Sequence, residues 1–308
     1  AQPPTFTLAG IPGLPMSSHW MALPLCCLYL LVLLGSGTLL WVVRADHSLH
    51  TPVYYFLSTL AMADLGLSLS TLPTMVAVFW FKSPSFPFEA CVAQMYFVHA
   101  FSVIESGVLV AMAFDRFVAL SCPLRYSSGL TSPLIMKAGG VIFLRAVCVV
   151  LPVAVLMGKM PFCGPRVLSH SFCLHQDMLR LVCGDVRVSR VRLYGLMAVM
   201  LTKGLDSLAI LLSYTMILRA ILSTVSQAAQ AKAFSTCISH LCAVLVFYIP
   251  LIGLSIAHRF GRQLSPLAPT LMADACLLVP PVLNPLVYSW RTRQIRGWVL
   301  TLLCPRAA

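Results

Sequence analysis

Apolar and polar residues do not alternate along this chain; they fall into long apolar runs separated by short polar breaks. A helix needs about twenty apolar residues to cross roughly 30 Å of hydrocarbon. Seven runs are long enough, at about 20–43, 54–80, 92–119, 135–157, 193–222, 235–257 and 268–290, with polar residues interrupting the third, fifth and sixth. Strands of a membrane barrel would alternate over about ten residues instead. The pattern therefore predicts an all-α membrane protein, a seven-helix bundle forming one domain over 1–308. The longest connection is about 158–192, and no internal repeat of the inverted-repeat transporter kind is visible. Beyond the seventh run, Ile295, Trp298, Val299 and Leu302 of "SWRTRQIRGWVLTLL" follow i, i+3, i+4, i+7 spacing, flanked by Arg291, Arg293 and Arg296. This predicts an interfacial helix at about 292–303 on anionic lipid, with Cys304 beside it a candidate for acylation.

Composition agrees with the bilayer as solvent. The chain is 59% hydrophobic and 10% charged, against about 25% charged in soluble domains. Lys and Arg number 21 against 9 Asp and Glu, which in a soluble protein would suggest nucleic acid. Here the basic residues are scattered through loops with no aromatic-basic module, so nucleic acid is excluded. The first nineteen residues hold no Lys or Arg, so they lack the charged start of a cleavable signal peptide.

Orientation follows from basic residues and cysteines together. With the N-terminus outside, ten Lys or Arg fall inside and nine outside; without the six in 158–192 the count is ten to three, the expected direction. Four of the twelve cysteines, Cys91, Cys163, Cys173 and Cys183, fall in loops on one face, an even set suited to disulfides in an oxidising compartment. Spacing alone does not choose among their three pairings, and it resembles no structural zinc site. Cys91 precedes Arg116 by 25 residues, roughly 37 Å of helix. The pair Asp115-Arg116 therefore lies at the opposite surface from Cys91. On its own such a pair is a local ion pair worth little.

The motifs add a resemblance. "MAFDRFVALSCPLRY" is similar to the end of the third helix of odorant receptors, which are rhodopsin-like G-protein-coupled receptors. "PVYYFLSTLAMADL", "KAFSTCISHL" and "PPVLNPLVY" match the same family in its second, sixth and seventh helices, in order, and the likeness runs from about residue 6 to 298. "FTLAGIPGLP", "LSHSFCLHQD" and "HRFG" resemble class I, fish-like members. The resemblance implies an odorant ligand, a stimulatory olfactory-type G protein with cyclic AMP as readout, and a plasma-membrane location with the N-terminus extracellular. It implies the disulfides Cys91–Cys173 and Cys163–Cys183. It also implies that Asp115 latches Arg116 at rest, with Phe117, Lys232, His240, Asn284, Pro285 and Tyr288 serving coupling and activation. Phe117 stands where the family usually has tyrosine, which removes a hydroxyl.

Ionisable residues inside spans are functional candidates. Asp64 and Glu105, with Ser106, Asn284 and Tyr288, are expected to form the central polar cluster that holds sodium or water in related receptors; the alternative is a structural hydrogen-bond network around a protonated carboxyl. Ser36 replaces the asparagine expected in the first helix and reaches less far. No resident cofactor is expected beyond that sodium. Lys203 and Asp206, three apart, are read as a local pair, the alternative being a second cation facing the ligand. Arg145, mid-way along the fourth run, has no sequence-level account.

A ligand site is expected at the outer end. His99, Ser102 and Ser106 share one helix face, with His99 about 12 Å inside Cys91. Ser255 and Arg259 share another, and His175 and Gln176 follow Cys173. Val103 and Phe101 supply apolar wall. The guanidinium fork of Arg259 matches a carboxylate, so Arg259 is read as the anchor of a small acid; the alternative has it paired with Asp177 or snorkelling to water. No HExxH or GxSxG motif or catalytic constellation is present, so no enzyme is expected. A transporter or channel using Asp64 and Glu105 is the rival function. A poorly functional receptor is a third reading, because Asn284 is the only asparagine and the N-terminal glycosylation sequon is absent.

Overall fold

A computed structural model of the chain describes residues 5–10, 19–81, 85–121, 126, 131–163, 166–183, 185–224, 226–260, 267–291 and 296–297. Seven of its helical stretches are long and apolar enough to cross a membrane. They begin with α1 (His19–Ala45), α2 (Pro52–Phe79), α3 (Phe88–Ser121) and α4 (Ser132–Gly158). After a short loop helix, α5 (His175–Arg180), come α6 (Asp185–Val199) and α7 (Leu205–Leu222), joined by a π-helical turn at Met200–Gly204 into one fifth span. The last two are α8 (Gln227–Phe260) and α9 (Leu267–Arg291).

Local chemistry accounts for several ends. Pro52 and Pro133 open α2 and α4 behind Thr51 and Thr131, where a missing N–H costs nothing because the first helical amides have no partner. Prolines also lie inside helices, at Pro24, Pro73, Pro152, Pro250, Pro280, Pro281 and Pro285. Membrane helices tolerate them because neighbouring groups take up the freed carbonyls.

The third helix is the axis of the bundle. In its most apolar window 61% of residues are buried, against 22% in the fourth span, whose Met136, Phe143 and Leu144 face outward. Lipid is as apolar as leucine, so association of such helices rests on close packing and polar ties. Two glycines permit the close approaches. A Cβ on Gly66 would stand 2.2 Å from the Phe101 ring, and one on Gly107 would stand 2.9 Å from Ile142 and 3.0 Å from Arg145. Glycine at these points lets α2 and α4 close onto α3.

The rim around Cys91 carries a feature absent from the all-helical expectation. Strands β1 (Thr5–Leu8), β2 (Ser85–Pro87) and β3 (Val167–Leu168) form a small sheet in the order β2-β1-β3, antiparallel then parallel. Phe6 and Leu8 of β1 are fully buried, and Phe6 meets Phe88 and Phe162 edge-on or tilted. Three short segments from separate loops close this sheet, so no single stretch carries strand periodicity. The fifth span also starts earlier than 193. The run Arg187–Arg192 hid it, because charged residues continue the helix beyond the apolar stretch. Of the expected interfacial helix at 292–303, only Arg296 and Gly297 are described; Ile295, Trp298, Val299, Leu302 and Cys304 lie outside the described residues.

Candidate ligand and coupling site

At the Cys91 rim two disulfides hold the long loop over the bundle. Cys91 bonds Cys173 and Cys163 bonds Cys183, with Cα separations of 5.2 and 5.6 Å. Gln94, one turn below Cys91, accepts the Cys173 amide at 2.8 Å and donates to the Ser70 carbonyl and the Thr74 hydroxyl. Sequence reading passed over Gln94; a polar residue one turn inside the loop-binding cysteine was the available sign. Asp177 in the loop takes His170, the Ser169 amide at 3.0 Å and Arg180 at 3.7 Å. Burial pushes the Asp177 carboxyl upward, but the His170 bond and charge, the Arg180 charge and the Ser169 amide together hold it below its ordinary value.

Beneath the loop stands a column of polar groups on one face of α3. The ring of His175, reaching down from α5, meets His99 edge-on at 6.0 Å and rests near Gly195 of α6. Its Nε2 is buried without a hydrogen-bond partner, and burial pushes the imidazole down to about 4. One turn deeper, the Lys203 ammonium donates to the Ser102 carbonyl and, at 2.9 Å, to the Ser102 hydroxyl. It lies 4.5 Å above the Phe247 ring of α8. One turn deeper again, Ser106 donates to Asp206 at 2.6 Å and shares a 2.9 Å bond with the Tyr248 hydroxyl.

The local Lys203–Asp206 pair does not form. Both Asp206 oxygens are taken by the Arg145 guanidinium of α4, at 2.6 and 2.7 Å. A planar fork satisfies two carboxylate oxygens at once, which an ammonium cannot. The π turn that carries Lys203 also breaks the regular i, i+3 relation to Asp206. Arg145 thereby gains the account that sequence denied it. An arginine mid-span must find an acid, and Asp206 of the fifth span supplies it. Tyr248 gave no such sign.

The remaining expected ligand contacts are not gathered with this column. Ser255 is exposed and donates to the Leu251 carbonyl, and Gln176 is exposed on the outer face of α5. Arg259 lies in the last turn of α8, and its side chain is outside the described residues. Asp177, its alternative partner, is already engaged by His170, Ser169 and Arg180.

In the middle of the bundle Asn284 donates to both Asp64 oxygens at 3.3 Å, and the Asp64 and Glu105 carboxyls are close neighbours. Ser106 does not join them, because Asp206 and Tyr248 occupy its hydroxyl. Buried oxygens of Ser36, Ser68, Glu105 and Tyr288 have no hydrogen-bond partner. Among the described residues no group of three or more His, Cys, Asp or Glu could hold a metal ion.

At the opposite rim Arg116 donates to Asp115 through Nε at 3.1 Å and Nη2 at 2.8 Å, and Tyr126 donates to the other Asp115 oxygen at 2.9 Å. Burial, then the Asp115 charge, pushes the Tyr126 phenol up to about 12. His240 of α8 bonds the Leu109 carbonyl of α3 and the Tyr214 hydroxyl of α7 at 3.1 and 2.6 Å, and the Tyr214 and His240 rings are stacked. Phe117 packs with Ile217, Ile221 and Cys237, a contact a ring makes without a hydroxyl. Lys232 is exposed on α8.

This arrangement, seven helices around a polar column beneath a disulfide-held loop, is the rhodopsin-like receptor fold. The crystal structure of squid rhodopsin superposes on 95% of this chain and 82% of its own at a TM-score of 0.75 with 16% identity, which speaks for the fold alone. The family model described as Olfactory receptor matches residues 25–306. Human Olfactory receptor 51H1 is 53% identical over 94% of this chain and 96% of its own length. Human Olfactory receptor 51L1 is 51% identical over 96% and 94%, and rat Olfactory receptor 51E2 is 47% identical over 97% and 92%. The chain belongs to the olfactory receptor family. It is a multi-pass membrane receptor of the G-protein-coupled class, not an enzyme.

Proposed function

We propose that the protein binds a small polar or carboxylic-acid odorant in the outer half of the bundle and activates a stimulatory, olfactory-type G protein, raising cyclic AMP. The observation that carries the reading is the His175–His99–Ser102–Lys203 column, where hydrogen-bonding groups of three elements converge beneath the loop held by Cys91–Cys173. Arg259, in the last turn of α8, is a second candidate contact for an acid at the outer rim, apart from this column. The receptor resides in the plasma membrane with the Cys91 rim extracellular and the Asp115 rim facing the G protein.

Asp115, braced by the Tyr126 hydroxyl, holds Arg116 at rest, and the Asp115–Arg116 bond releases when α8 moves away from α3. His240 and Tyr214 bridge α3, α7 and α8 at the level where that movement begins, and Asn284, Pro285 and Tyr288 relay it through α9. A sodium ion or water held by Asp64, Glu105 and Ser36 belongs to the same proposal, supported by the buried oxygens of Ser36, Ser68 and Glu105 that lack partners. The test is a cyclic AMP assay on cells displaying the receptor, screened with short and medium acids, alcohols and aldehydes. Concentration-dependent responses are expected, and silence at full surface display contradicts the proposal.

A further inference from the structure

A lysine within the hydrocarbon layer is expensive and is retained where its charge has work to do. Lys203 is 9% exposed, in the π turn of the fifth span, and forms no salt bridge among the described residues. Asp206, the acid closest to it in sequence, is saturated by the two-pronged bond from Arg145 and the Ser106 hydroxyl. Glu105 lies one turn below Ser102 beside Asp64, and its carboxyl acts on the ammonium without a direct bond. The ammonium instead has a neutral carbonyl, a neutral hydroxyl and the face of Phe247. Dipoles and a ring solvate the cation, while the carboxyls of Glu105 and Asp206 act on it through space without a direct ion pair.

The position is as informative as the charge. The π turn replaces regular helix where the side chain departs, and such turns recur at functional sites. Lys203 touches α3 through Ser102 and α8 through Phe247, and Cys276 of α9 is close enough to feel its charge. Directly above it stand His99 and then His175, whose buried Nε2 has no partner. A molecule entering under the loop would meet donors and acceptors in order, with the cation at the bottom.

We infer that Lys203 is the deep anchor of this receptor's pocket, pairing its ammonium with the carboxylate of an odorant acid whose head passes His175 and His99 to reach Ser102. The inference rests on the reading of an odorant pocket in the outer half of the bundle and names a cation for it other than Arg259. An acid bound there touches α3, α7's neighbouring turn and α8 at one point, and so bears directly on the helices that part at the other rim. Groups facing the ammonium from each packed element are Ser102 and Glu105 of α3, Arg145 of α4, Asp206 of α7, Phe247 of α8 and Cys276 of α9.

The test compares wild type, Lys203→Met, Lys203→Arg and Arg259→Ala at matched surface display, each titrated with straight-chain carboxylates of two to ten carbons and with the matching alcohols. Lys203→Met should raise the concentration for half-maximal response to acids by 100-fold or more, and that for the matching alcohols by at least tenfold less. Lys203→Arg should restore acids to within tenfold of wild type. If Lys203→Met does not reach the surface, Lys203→Gln, which can keep the Ser102 bonds while losing the charge, is read in its place with the same expectation. Acid responses within threefold of wild type in the uncharged variant overturn the anchor. So does a wild type that answers alcohols but no carboxylate, and in that case the receptor reading stands. Silence of the wild type to the whole panel sinks the proposed function along with the anchor.

Discussion

The molecule contains two aspartate–arginine pairs that share chemistry and differ in what they join. Asp115 and Arg116 are neighbours in sequence on one helix, with the arginine 18% exposed at the bundle's end. Asp206 and Arg145 come from α7 and α4, 61 residues apart, and meet through two bonds in mid-span; with the arginine 29% exposed, depth and the joining of two helices set this pair apart, not lower exposure. A pair within one helix adds nothing to the packing between helices, so opening it costs only its own modest bond. A pair between helices in a dry layer cannot open without stranding two charges. The first suits a switch and the second a fixed tie.

Breaking one member of the fixed tie should have the largest effect. Arg145→Met or Asp206→Asn is expected to cost about 3 kcal/mol, seen as lost surface display and a lowered melting temperature in detergent. The double replacement Arg145→Met with Asp206→Leu should recover most of that loss, since no charge is left stranded. A double variant as damaged as either single would show that the acid and base do separate work.

The loop offers an intermediate effect, set by pH. His175 is held neutral down to about pH 4 in the folded protein, against an ordinary value near 6.5. As pH falls through 6.5 toward 4 the unfolded chain takes up the proton first, so stability is complete above about 6.5 and falls below it. At pH 5 the loss should be about 2 kcal/mol, and His175→Gln should flatten the melting curve's dependence on pH over that window. An unaltered dependence in the variant would mean that His175 is not buried as described.

Gly107→Ala should act on the fixed tie from the side. Its methyl would crowd Ile142 and the Arg145 guanidinium, with a cost of about 1 to 2 kcal/mol and no effect on Asp115-Arg116. Asp115→Asn should change stability least, because the amide oxygen can still accept from Tyr126, while raising basal cyclic AMP several-fold at equal surface display.

Apolar run length fixed the seven helices in advance, because crossing lipid demands both length and apolarity of each segment independently of the others. The small sheet of Thr5–Leu8, Ser85–Pro87 and Val167–Leu168 escaped, because pairing between distant short segments leaves no periodic trace in any of them. Among site residues, Asp115 and Arg116 were readable because their partners are local. The pairing of Lys203, Asp206 and Arg145 was not, since helix spacing describes one element while the winning contact came from another. A π turn at Met200–Gly204, which has no sequence signature, altered the register as well.

The central claim is that the inner pair releases while the mid-span tie holds. Pulsed electron spin resonance on nanodisc-embedded receptor measures it directly, with one label pair at the inner ends of α3 and α8 and another on lipid-facing positions of α4 and α7 beside Arg145 and Asp206. On adding nucleotide-free G protein with agonist, the inner distance should lengthen by several ångströms and the α4–α7 distance should stay unchanged. An inner distance that stays fixed, or an α4–α7 distance that shifts as far, would contradict the account.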